Sequence, residues 1–173
     1  MTRIITHVFG PVFAAMRFAA SGVFAQPVQH GTLALDHIVI RAGLPGAKVT
    51  AGYLDITNTG AADDRLIAVE YDGAGRAEIH TMEMENGIMK MRPLKDGLII
   101  PAGETVSLAP GGLHLMFMKL KALPKAGDHG QLTLEFERAG PVTIMAHVKT
   151  VKMGHKHTKT RDGHDHGGHD HDH

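Results

Sequence analysis

Four residues have the right chemistry and spacing to hold a soft metal ion: His80, Met91, His114 and Met116. The sequence carries 14 His and 10 Met and no Cys. Imidazole is a borderline ligand and thioether a soft one, so a mixed His/Met set without thiolate or carboxylate favours Cu(I) over Zn(II), Ca(II) or Mg(II). Neutral thioethers add no charge that would favour Cu(II). A blue-copper electron-transfer site normally uses a Cys thiolate, which this chain lacks. No GxSxG elbow or HExxH motif is present, and the acidic residues are scattered, so no enzyme constellation stands out.

Local sequence explains how these residues could meet. Asn86-Gly87, lying between two alternating runs, predicts a two-residue type I′ hairpin. That turn would pair Glu85 with Ile88, Met84 with Met89, Glu83 with Lys90 and Met82 with Met91. Because side chains alternate, His80, Met82, Met84, Met89 and Met91 then share one face, with His80 diagonal to Met91. In Leu113–Met118, the residues Leu113, Leu115 and Phe117 form a core face, and His114, Met116 and Met118 form the other. Methionine stripes are commonly gap-filling packing. Met82, Met84 and Met89 are therefore expected to be wholly or partly buried, with an auxiliary ligand role for Met82, Met84 or Met118 left open. His30, His37, His129 and His147 stand singly in the sequence and are read as surface or locally hydrogen-bonded residues.

The surrounding elements read as strands: Thr32–Ile40, Val49–Thr57, Arg65–Tyr71, Ala77–Glu85, Gly87–Leu94, Glu104–Leu108, Leu113–Leu120, Gln131–Glu137 and Val142–Lys149. Each is short and bounded by Gly, Pro, Asn or Asp, and none has a sustained helical period. This predicts an all-β domain, an antiparallel Greek-key sandwich or barrel, over residues 26–150. The 173 residues carry 18 basic and 18 acidic side chains, which argues against a nucleic-acid partner. With no Trp and two Tyr, a stacking platform is not expected.

The two ends have different compositions. Arg3, an apolar stretch to about Phe24, and Val23-Phe24-Ala25 have the form of a signal peptide (residues 1–25) cleaved after Ala25. No other run is apolar enough to span a bilayer. The expected mature protein is exported, periplasmic in a two-membrane host, with no membrane span. Residues 151–173 hold seven of the 14 His among Gly, Asp and Lys. Such a segment has little apolar surface to offset ordering and is expected to be a disordered tail. Its Met153, His155, His157, His164, His166, His169, His171 and His173 form a secondary metal-binding set. Alternating imidazole and carboxylate suit Cu(II), and also Zn(II) or Ni(II).

The spacing His80, ten residues, Met91, 22 residues, His114-Leu115-Met116 resembles the motif of the PCuAC family of periplasmic copper chaperones. Further similar segments are Ala51–Asn58, Glu78-Ile79-His80, Met89–Pro93, Pro101-Ala102-Gly103 and Pro110–Met116. The family spacing before His-x-Met is about 21 residues, and the extra residue is expected in the turn Lys95-Asp96-Gly97. The resemblance implies a cupredoxin-like β-fold and a non-enzymatic carrier in which His80, Met91, His114 and Met116 bind Cu(I). It implies delivery to a copper-receiving apo-protein, such as a cytochrome oxidase subunit or another copper chaperone. The alternative is a copper or zinc buffering or resistance protein without a specific client. A copper oxidase or monooxygenase is disfavoured, because no second ordered copper site or substrate pocket is signalled.

Overall fold

The computed structural model describes residues 26–151, so the expected signal peptide and the His-rich tail from residue 152 onward lie outside the described residues. The described chain forms eleven strands: β1 Val28–His30, β2 Leu33–Arg41, β3 Val49–Asn58, β4 Asp64–Tyr71, β5 Ala74–Glu85, β6 Ile88–Pro93, β7 Leu98–Ile100, β8 Thr105–Leu108, β9 His114–Leu120, β10 His129–Phe136 and β11 Gly140–Lys149. Among the described residues there is no helix. The nine strands expected from alternation all form. The two missed, β1 and β7, are three residues each, too short for alternation to register.

The hydrogen-bonded order is β6-β5-β9-β3-β2-β11-β10-β4-β7, with β1 added on β2 and β8 on β3. Pairing is antiparallel except between β11 and β2, which run parallel. The sheet is therefore mixed, which corrects the wholly antiparallel expectation. This pair joins elements distant in the chain, and no turn between them sets their direction. Among the described residues the fold is nonetheless all-β, as expected.

The core is built by period-two alternation. In β10, Leu132, Leu134 and Phe136 are buried, while the residues between them face outward or are partly covered. Leu33, Leu35, Leu54, Ile56, Leu115 and Phe117 meet them inside. Gly52 of β3 is required by this packing: a Cβ there would sit 2.7 Å from the Phe117 ring. Asn58, fully buried, directs its polar atoms to backbone. Its Nδ2 donates to the carbonyls of Ala62 and Ile100, and its Oδ1 accepts from the Gly60 amide.

Two departures from regular pairing shape the donor face. First, β5 outruns β9. Residues Ala74–His80 pair with β9, but from Thr81 onward β5 pairs only with β6. The hairpin is thus an arm, and β6 contributes nothing to the buried core. Asn86 (φ 53°) and Gly87 (φ 79°) both have positive φ, as a type I′ turn demands, and the register is the one expected. Second, β8 and β9 lie in line along the same side of β3, β8 on Leu54–Thr57 and β9 on Val49–Gly52. Between them the chain leaves the sheet at Ala109 and returns at Leu113, closed by an Ala109 N–H donated to the Leu113 carbonyl (2.8 Å).

Tyr53 and Tyr71 are the chain's two tyrosines, and both are buried at the ring. Burial pushes each phenol above its ordinary value of 10.0. At Tyr71 the nearby Asp72 and Asp128 add to the rise, and at Tyr53 the Arg41 guanidinium partly offsets it. A raised folded-state pKa means stability is fully present below pH 10 and is lost as pH rises through the folded-state values. Ultraviolet titration of tyrosinate in the folded protein should therefore show no component at or below 10, and chemical-denaturation midpoints should fall as pH is raised past that point. A phenol titrating normally would contradict the burial of these rings.

Candidate metal centre

His80 and His114 are directly opposite partners on β5 and β9. Their rings lie 5.8 Å apart between centroids, at 53° to each other, a separation open to two imidazoles that share one ion. One step along, Met116 pairs with Glu78 on one side and Ala51 on the other. Met91 lies across from Met82 and diagonal to His80, whose direct partner on β6 is Pro93. Leu115 and Phe117 are fully buried on the core side, so His114 and Met116 occupy the opposite face, as expected from alternation. His114 is nonetheless only 4% exposed, which alternation alone did not indicate.

Met82, Met91, His114 and Met116 line one cleft of ≈ 240 Å³ with Tyr53 and the excursion residue Pro110. His80 is not in its wall. It sits behind, 9% exposed, against His114. Met91 is 45% exposed, so one thioether reaches the surface. Met82 and Met118 are half-buried. Met84 and Met89 are exposed, at 65% and 44%. The expectation that those two are packing residues is corrected: they lie on the projecting arm, where no opposing layer covers them. Among the described residues, no three His, Cys, Asp or Glu side chains gather, so any metal held here needs thioethers.

The two rings are held in complementary states. His114 Nδ1 lies 2.9 Å from the Gly112 carbonyl, which can only accept, so Nδ1 carries the proton and Nε2 keeps a free lone pair. The excursion between β8 and β9 supplies that carbonyl. His80 Nε2 lies 2.8 Å from a Glu78 carboxylate oxygen, so Nε2–H donates there. His80 Nδ1 is buried and has no hydrogen-bond partner. The hydrogen bond from His80 holds the Glu78 carboxyl below its usual range, reinforced by one from Arg76. Orphaned buried nitrogens are rare and call for an explanation. Metal-binding histidines almost always donate their other N–H to a carboxylate or carbonyl, which fixes the tautomer. Both histidines meet that pattern.

Sequence reasoning missed Glu78 as part of this site. Its signal was available: it stands two residues before His80, hence on the same face of the same strand. The apo protein should show opposite tautomers in a long-range ¹H–¹⁵N spectrum, with the proton on Nε2 of His80 and on Nδ1 of His114. The same tautomer on both rings would contradict the arrangement.

The remaining single histidines divide. His30 Nε2 donates to the Ala139 carbonyl (3.0 Å), and His37 pairs with Asp55 (2.8 Å), both local arrangements as expected. His129 and His147 are exposed, as expected, but the structure brings together two residues that stand singly in the sequence. They are direct cross-strand partners with ring centroids 4.5 Å apart.

Known proteins share this framework. The copper-bound PCuAC domain from PmoF2 superposes with a TM-score of 0.62 at 27% identity, covering 73% of this chain and all of that one. The Cu(I) form of DR1885 from Deinococcus radiodurans gives 0.53 at 28% identity, covering 73% of this chain and 82% of that one. In sequence, the chain is 33% identical over 114 residues to "Putative lipoprotein Lxx21020" of Leifsonia xyli subsp. xyli, covering 66% of this chain and 69% of the relative. It is 30% identical over 88 residues to the uncharacterized protein RP573 of Rickettsia prowazekii, and that match spans about half of each chain (51% and 49%). The family model described as "Putative lipoprotein LpqE-like" matches residues 33–148. The chain with this thioether-lined cleft and its histidine pair therefore belongs to the LpqE-like family, which is the PCuAC-like family.

Proposed function

We propose that this protein is an exported copper chaperone. In this reading His80, Met91, His114 and Met116 bind Cu(I), and the ion passes to a copper-receiving apo-protein such as a cytochrome oxidase subunit. The observation that carries the reading is the buried, unpartnered His80 Nδ1 beside a second imidazole whose Nε2 lone pair is also left free. One imidazole and thioethers lining a mostly apolar cleft, with a second imidazole behind its wall, match the donor preferences of Cu(I). The copper-binding PCuAC neighbours support the same ion. The description of relatives as lipoproteins supports an exported setting.

The role is that of a carrier and not an enzyme. Met91 sits on the arm, 45% exposed, on a strand whose ladder partner is β5. It is the ligand that an incoming partner's donor displaces first, leaving the buried histidines until last. Handover is then a ligand exchange in which neither copper nor protein changes oxidation state.

The test is an anaerobic Cu(I) titration of residues 26–150 against a competing chelator. One tightly held equivalent is expected, and that tight equivalent is lost in a His114→Ala, Met116→Ala double variant. Glu78→Ala, which frees the His80 ring, should weaken binding roughly 10–100-fold. Equal binding by the double variant would exclude this site. Transfer of copper to an apo oxidase subunit separates a chaperone from a buffering protein.

The His-rich segment has a distinct part in this proposal. Met153, His155, His157, His164, His166, His169, His171 and His173 capture Cu(II) and hold copper near the core site. After one-electron reduction of the captured Cu(II) to Cu(I) by an external reductant such as a thiol, tethering makes transfer to the core site intramolecular, at effective concentrations on the order of millimolar. Deleting residues 151–173 should remove most Cu(II) binding and leave Cu(I) binding intact. Undiminished Cu(II) affinity in the truncated protein would defeat this role.

A further inference from the structure

The outer face of the β10–β11 hairpin carries a second group of soft-metal donors. His129 and His147 are partners in the register, their rings 4.5 Å apart and tilted by 59°. The backbone explains the closeness. The Val148 N–H donates to the Asp128 carbonyl (2.8 Å), so the Asp128–Val148 rung is a hydrogen-bonded one. The next rung, His129–His147, is therefore the non-hydrogen-bonded kind, in which opposed side chains come closest. Gly130 and Ala146 of the following rung face the core, so both imidazoles stand on the solvent side.

Two residues before His147, and so on the same face, stands Met145. It is 57% exposed, partnered across the hairpin by Gln131 and diagonal to His129. Solvent exposure leaves its thioether without a packing role. The three residues thus place two imidazoles and a thioether on alternate rungs, and so on one face, of a single hairpin. His129 also borders a shallow hollow with Asp72 and Asp128, but no three His, Cys, Asp or Glu side chains gather anywhere among the described residues. A harder ion therefore lacks its donor set here, whereas Cu(I) accepts both imidazole and thioether.

We propose that His129, His147 and Met145 form a second Cu(I) site, open to solvent and separate from the cleft. Solvent or an incoming donor completes the coordination, so the ion is held more loosely than between buried ligands. The site lies on β11, the strand that leads in sequence into the His-rich segment. Copper leaving that segment, once reduced to Cu(I) by an external one-electron reductant such as a thiol, would meet this site on its way to the cleft. That relay role rests on the function proposed above, but the existence of the site does not.

The probe is Ag(I), a diamagnetic ion of the same charge and softness that needs no reductant. It is titrated into the full chain while the His129 and His147 ring resonances and the Met145 methyl resonance are followed by NMR. The three signals should move together along one saturating curve, both in the wild-type protein and in the His114→Ala, Met116→Ala variant. His129→Ala should move the midpoint of the Met145 response to higher metal on the order of a hundredfold, because one arm of the chelate is gone. His147→Gln should do the same, and serves if His129→Ala does not fold. Rings and methyl that stay still would leave only a ring–ring contact and overturn the proposal, as would an unchanged Met145 response in both variants. Should the cleft variant keep wild-type Cu(I) binding while the outer signals still respond, the chaperone reading fails and this site stands.

Discussion

The two-sidedness of β9 is the constraint on which the rest of the molecule depends. Leu115 and Phe117 fill the core from one face, and His114 and Met116 stand on the other. A one-residue slip in the pairing of β9 with β3 or β5 would exchange the two sets, burying imidazole and thioether among leucines and exposing Phe117. Hydrophobic burial thus sets the register of the donors. Gly52 is part of the same constraint, because the Phe117 ring occupies the space a side chain there would need.

Beside that strand the backbone departs from regularity close to the candidate donors. The line formed by β8 and β9 is broken beside Tyr53, and the excursion from Ala109 to Leu113 brings the Gly112 carbonyl to His114. On the neighbouring strand the same job falls to a side chain, the carboxylate of Glu78, itself held by Arg76. One ring is oriented by main chain and the other by an ion-paired carboxylate, and each is left with a single free nitrogen. A buried nitrogen without a partner costs stability, because desolvation is not compensated. The fold tolerates this at His80, where an ion would relieve it.

The hairpin arm contributes the opposite property. Beyond Thr81, β5 has only β6 beside it, and Met84, Ile88, Met89 and Met91 are exposed. Rigidity in the β9 donors and exposure in the β6 donor belong to one arrangement. In the proposed function, the oriented imidazoles would hold the ion and the accessible thioether at the edge would let another molecule reach it.

Much of this was legible in the sequence, because it is local. Asn86-Gly87 determines the hairpin register through the left-handed conformation of two adjacent residues, so the Met82–Met91 pairing needs no distant contact. Alternation in β9 likewise separates core from donor face over a few residues. What tertiary structure alone decided is non-local. The parallel docking of β11 on β2 joins segments with no turn between them, and β1 and β7 exist only because neighbouring strands offer free edges. Whether His129 and His147 meet depends on the register of β10 against β11, set at the far end of the ladder by the three-residue turn Glu137–Ala139 and the positive φ of Gly140 (77°). The partner of His80 across β9, and the orphaned nitrogen that results, arise from packing a whole sheet. A sequence names donors by type and local face, but the direction of each lone pair is set by whichever strand lies alongside.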